Sequence, residues 1–126
     1  MSAVKSIDSP AKVSEAFVAA INAGDLPSAL GHYRDDAVLL APDGQCARGA
    51  QAIEELLRGL VAMQVKMGTR IENVIEVGDI AVASEAWTMR LHAPDGASSE
   101  QHGQSIVLFT RGRDGWQFLL DAPWGL

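Results

Sequence analysis

Apolar residues recur at a helical period through most of the first half of the chain and at a strand period through the second. Val13, Ala16, Phe17, Ala20 and Ile21 fall at i, i+3, i+4, i+7 and i+8, one face of a first helix. Ser9-Pro10 supplies its start: the serine oxygen can accept a free N–H of the first turn, and proline fits where an N–H has no partner. Gly24 is the glycine expected just past its end. Asp25 caps a short second helix whose inner face is Leu26, Ala29, Leu30 and Tyr33, and Asp35-Asp36 breaks that pattern. Residues 37–41 read as a strand and Pro42-Asp43-Gly44 as the turn leaving it. Gly49 introduces a third helix with Ile53, Leu56, Leu57, Leu60 and Val61 inside.

Four strands follow, at 69–77, 80–92, 101–111 and 116–122. Gly78-Asp79, Pro94-Asp95-Gly96 and Asp114-Gly115 separate them as turns. Helices first and an antiparallel meander afterwards predict an α+β layout rather than a βαβ repeat. In the second of these strands one parity carries Ile80, Val82 and Ala86 and the other Ala83, Trp87, Met89 and Leu91. In the third, Ile106 and Leu108 oppose Val107 and Phe109. A sheet covered by helices on one face alone would show a polar outer face. Two apolar faces therefore predict a homodimer through the outer sheet face, the alternative being the chain's own termini folded over it.

Composition narrows the classes. With 48% hydrophobic and 21% charged residues in 126, the chain is expected to form one domain with a real core, spanning 1–126. No apolar run approaches the roughly 18 residues of a membrane span, and the first ten residues lack the apolar stretch of a secretory signal. The net charge is −6 and the ten basic residues are scattered, which argues against nucleic acid, whose binders cluster them. The lone Cys46 allows no intrachain disulfide and fits a cytoplasmic location. No Cys/His cluster, P-loop or dinucleotide fingerprint occurs, so neither metal nor cofactor is expected.

The segments AFVAAINAGD, HYRDDAVLLAPDG, RGAQAI and GWQFLLDAPWG, in that order, resemble the nuclear transport factor 2-like superfamily, which includes the ketosteroid isomerases and the SnoaL-like cyclases. The SnoaL-like branch is the nearer, through Trp116, Asp121 and Trp124 at the end of the last strand. The resemblance implies a cystatin-like cone: three N-terminal helices on a curved antiparallel sheet, with an apolar pocket for a small hydrophobic organic ligand. Carried over by position, Phe17, Tyr33, Val107, Phe109 and Trp124 would line it, joined by Ser84, Ala86 and Thr88 or else by Glu85 and Trp87, since a one-residue bulge reverses the parity. A ketosteroid isomerase needs a carboxylate base, a tyrosine donor and a second, neutral carboxylic acid. The matching positions here are Ala41, Phe17 and Val107, none of which moves a proton, so isomerisation by that mechanism is not expected.

Among the remaining polar residues, Asp121 near the pocket mouth would serve as a general acid or base, or else bond backbone N–H groups where the strand meets Pro123. Tyr33 would offer a phenol to the ligand or stand in the core with its hydroxyl at the rim. Glu85, inside the apolar AVASEAW, needs a buried partner, with Arg70, Arg90 and Arg111 as candidates. His92 and His102 flank one hairpin tip without a convincing third ligand. Two functions remain open. One is a ligand-binding protein with isomerase-, cyclase- or hydratase-like chemistry through Asp121 and Tyr33; the other is a non-enzymatic dimerisation or binding module.

Overall fold

A computed structural model describes residues 8–41, 43–92 and 95–125. The expected turns at Pro42 and Pro94 are therefore described only in their Asp-Gly halves, and most of the N-terminal segment read above lies outside the described residues. In each half-turn the aspartate does what turn chemistry requires. Asp43 Oδ1 accepts the Gln45 N–H at 3.0 Å and Asp95 Oδ1 the Ala97 N–H at 2.9 Å.

The first helix, α1 (Pro10–Asn22), begins at Ser9, whose hydroxyl accepts the Lys12 N–H. It ends ahead of Gly24, whose φ of +72° is a conformation that side-chain-bearing residues rarely adopt. Asn22 then fastens the helix end to the sheet. Its side-chain amide donates to the Met67 carbonyl (2.9 Å) and accepts the Met67 N–H (2.7 Å), as a neighbouring strand would. Asp25 caps α2 (Leu26–Gly31) through the Ser28 N–H.

Here the structure departs from the pattern reading. Tyr33 is not on the second helix; it opens β1 (Tyr33–Leu40). The helix stops because the Phe118 N–H captures the His32 carbonyl at 2.8 Å, drawing the chain into the sheet. Asp35-Asp36 belongs to that strand, in the irregular stretch between Tyr33 and Val38, and does not simply end a helix. A three-residue strand, β2 (Cys46–Arg48), pairs with β1 before α3 (Ala50–Ala62). The meander follows as β3 (Lys66–Val77), β4 (Ile80–His92), β5 (Ser98–Gly112) and β6 (Gly115–Ala122).

The six strands form one sheet in the order β2-β1-β6-β5-β4-β3. All neighbours are antiparallel except β1 and β6, so the sheet is mixed rather than purely antiparallel. The α+β class stands. Val13, Phe17 and Ile21 of α1 and Ile53 and Leu57 of α3 meet Ala83, Val107, Phe109 and Phe118 of the sheet in one core. Phe109 is fully buried there, worth about 1.5–3 kcal/mol relative to leaving it in water.

Register decides which side chains face that core. Ala81, Ala83, Glu85 and Trp87 point to the helices and Ile80, Val82 and Ser84 away from them. Two bulges alter the count. Glu72 is unmatched between Ile71 and Asn73 in β3, and Leu119 is unmatched between Phe118 and Leu120 in β6. The second bulge lets Phe118 and Asp121, three residues apart, face the same side; without it they would face opposite sides.

The outer face keeps Val77 at 71% exposure and Ile75 at 61%, with Ile80 and Val82 also exposed. No helix among the described residues is long and apolar enough to cross a membrane.

Candidate functional site

A cavity of about 350 Å³ opens between the helices and the inner sheet face. Its walls are Phe17 and Val18 from α1, Leu56, Leu57 and Leu60 from α3, Met67 from β3, Trp87 and Met89 from β4, Val107 from β5 and Phe118 from β6. Ala41, Phe17 and Val107, the three positions matched above to the isomerase groups, all line it. Of the expected pocket residues, Tyr33, Trp87 and Trp124 also line the space. Phe109 does not: it lies in the core, tilted against Phe118 at 5.4 Å between ring centroids.

Three titratable groups, Tyr33, Asp121 and Glu85, stand in this mostly apolar lining. The Tyr33 hydroxyl donates to Asp121 Oδ2 at 2.8 Å. Its ring is held edge-on by Phe17 (5.6 Å) and tilted against Phe118 (4.8 Å), so the phenol has little freedom to turn away. Asp121 sits opposite Val107 on β5 and Leu39 on β1, two apolar neighbours. Burial pushes its carboxyl from the ordinary 3.8 up to about 7; the Tyr33 hydrogen bond opposes the rise and the Glu85 charge adds to it. Burial, helped by the Asp121 charge and hydrogen bond, holds the Tyr33 phenol well above its usual 10.

Glu85 is 4% exposed, yet no arginine reaches it. Ser14 Oγ donates to its Oε2 at 2.9 Å and Thr69 Oγ1 to its Oε1 at 2.8 Å. The expected ion pair fails because Arg70 and Arg90 carry the outward parity, pairing across the sheet with Ala86 and Glu100. Arg70 pairs with Glu72, Arg90 with Glu100 and Arg111 with Asp79. Burial raises the Glu85 carboxyl above its usual value, against the pull of its two hydroxyl donors.

The indole of Trp87 is fixed from three sides. Its Nε1 donates to the Pro123 carbonyl and Trp124 meets it edge-on at 4.8 Å. Gly103 lies beneath, so close that a Cβ there would stand 2.3 Å from the ring. The turn that returns Trp124 is closed by the Gly125 N–H on the Ala122 carbonyl.

His92 and His102 do not converge. They pair with Ser98 and Thr88, four register steps apart. No group of three potential metal ligands forms among the described residues.

Ser14 and Thr69 escaped the pattern reading. Ser14 lies at i, i+3 and i+7 with Phe17 and Ile21, so a polar residue inside an apolar helical stripe was the available signal.

Comparison with known proteins places this geometry. A SnoaL-like domain model matches residues 14–116. No curated protein matches. Among solved structures, a ketosteroid isomerase-like protein from Erwinia carotovora atroseptica superposes with a TM-score of 0.77 at 22% identity, covering 88% of each chain. An NTF2-like protein with a cystatin-like fold from Novosphingobium aromaticivorans gives 0.75 at 18%, covering 87% of this chain and 75% of its own. An NTF2-like protein from Shewanella oneidensis gives 0.72 at 15%, covering 88% of this chain and 92% of its own. At these identities the likeness speaks for the fold alone, while the domain match spans well over half of the sequence. The chain belongs to the SnoaL-like domain family, and its fold is that of the NTF2-like proteins.

Proposed function

We propose that the cavity binds a small hydrophobic organic molecule and that, where the bound molecule reacts, Asp121 moves the proton with Tyr33 as its fixed partner. The observation that supports this is the 2.8 Å contact of Tyr33 with Asp121 inside a largely hydrocarbon space. A carboxyl poised at about 7 is present in both protonation states near neutral pH, as a general acid or base should be. Tyr33 keeps its proton throughout that range. Proton-transfer reactions of the isomerase, cyclase or hydratase kind suit such a pair. The ketosteroid mechanism does not, because Ala41, Phe17 and Val107 offer nothing at its three positions.

Thermal-shift screening with hydrophobic acids, polyketides and sterol-like compounds tests the binding reading. A binder raises the melting temperature in a concentration-dependent way, and Val107→Trp, which fills the cavity, abolishes that rise. Once a substrate is found, full turnover by Asp121→Asn would dispose of the proton-transfer role.

A non-enzymatic binding module is the second reading, and the apolar residues at the isomerase positions favour it. On either reading the exposed outer face at Ile75, Val77, Ile80 and Val82 is where a second copy of the chain would pack.

A further inference from the structure

Each hydroxyl in the cavity is already committed. Ser14 and Thr69 donate to Glu85, Tyr33 donates to Asp121, and Ser105 donates to the Glu85 carbonyl at 3.4 Å. No lysine, arginine or histidine stands among the described residues that line the space. A ligand carbonyl, carboxylate or phosphate would therefore find few free donors and no countercharge, and an anion would meet two carboxyl groups.

What the interior has to spare is acceptor capacity. A carboxylate oxygen accepts two hydrogen bonds, and among the described residues Tyr33 is the one donor to Asp121, on Oδ2. Oδ1 is left for a ligand. The rings of Phe17, Tyr33 and Trp87 line the same space, and an aromatic face attracts cations and repels anions.

We propose that the ligand is a lipophilic amine, its ammonium donating to the open oxygen of Asp121 and its hydrocarbon body lying along the apolar walls. This rests on the reading of the cavity as a ligand site and narrows the ligand's chemistry. Burial, with Glu85 on β4 as a charged neighbour, keeps Asp121 partly protonated when the site is empty, against the pull of the Tyr33 hydrogen bond from β1. An incoming ammonium reverses that preference, so binding on the acid side of neutrality expels a proton.

Isothermal titration calorimetry with phenylbutylamine, phenylbutanol and phenylbutyrate, near-matched in their hydrocarbon, tests the proposal. At about pH 8 the amine should bind on the order of tenfold more tightly than the alcohol, the difference between a charge-assisted and a neutral hydrogen bond, with the carboxylate weakest. Asp121→Asn should remove the gap between amine and alcohol by weakening the amine far more than the alcohol. Near pH 6 the heat of amine binding should vary with the ionisation enthalpy of the buffer, and that of the alcohol should not. Equal or tighter binding of the alcohol or the carboxylate overturns the amine and leaves the apolar site standing. Failure of all three compounds to bind overturns both. A preference that survives Asp121→Asn overturns the assigned contact.

Discussion

Replacing Asp121 with asparagine probes the cavity without any ligand. Burial lifts the carboxyl from 3.8 to about 7, so between those values the folded chain holds a proton that the unfolded chain has released. The stability due to this neutral carboxyl is fully present below about pH 4 and is lost as pH rises through about 7. Roughly three pH units at about 1.4 kcal/mol each set a ceiling of about 4 kcal/mol. The residue borders an open cavity where water screens the charge, which brings the working figure to about 2 kcal/mol. Asparagine has the same shape and still accepts from Tyr33, but it does not ionise. Relative to the native chain, Asp121→Asn should gain that amount between pH 4 and pH 9, a relative shift in melting temperature of roughly 8 °C at about 4 °C per kcal/mol. Urea unfolding of both proteins across the range reads the difference directly. Glu85 titrates in the same direction in both and largely cancels. A difference that stays flat with pH would refute the raised carboxyl and the acid–base role built on it.

Other perturbations test the supports of the site. Tyr33→Phe removes the one hydrogen bond that opposes the rise at Asp121, so NMR titration of that carboxyl should place it higher still; a fall would contradict the pairing. Gly103→Ala sets a methyl 2.3 Å from an indole already pinned by Pro123 and Trp124, and overpacking of this kind costs about 1–3 kcal/mol in thermal unfolding. Unchanged stability would mean that the ring is free to move. Asn22→Ala takes both side-chain bonds from the Met67 backbone; a loss of roughly 1–3 kcal/mol with faster amide exchange at Met67 is expected, and unchanged exchange would deny the clamp. On the proposed dimer, the native chain should run as a dimer by light scattering and Val82→Lys, which plants a charge on the outer face, as a monomer. A monomeric native chain would refute the dimer, and a variant that stays dimeric would move the interface elsewhere.

Local chemistry was legible in the sequence, and long-range register was not. Ser9, Pro10 and Gly24 bracket α1 where their capping preferences place them, and Ile80–His92 is a strand over the range its alternation predicts. The parallel pairing of β1 with β6 leaves no mark on either strand alone, and β2 is too short to show a period. Tyr33 was assigned to a helix because Leu26, Ala29, Leu30 and Tyr33 do follow a helical spacing; the bond from Phe118, 85 positions later, takes it into the sheet. Of the arginines proposed for Glu85, Arg70 and Arg90 failed on parity, a property of the whole sheet, and Arg111 lies at the far end of its strand beside Asp79.

Asp121 and Tyr33 could be named singly from the sequence and not as a pair, because their meeting also depends on register. Alternation along β6 would put Asp121 on the face away from Phe118, since the two are an odd number of residues apart. The unmatched Leu119 restores it to the inner face, and the irregular stretch between Tyr33 and Val38 offsets β1 against β6. A bulge breaks pairing hydrogen bonds in a strand, so its persistence in β6 must be compensated nearby. The Phe17–Tyr33–Phe118–Phe109 ring cluster on one side and the Tyr33–Asp121 hydrogen bond on the other supply that compensation. The core thus stabilises the irregularity that places a carboxyl in hydrocarbon, and the raised affinity of Asp121 for a proton follows from where that irregularity falls.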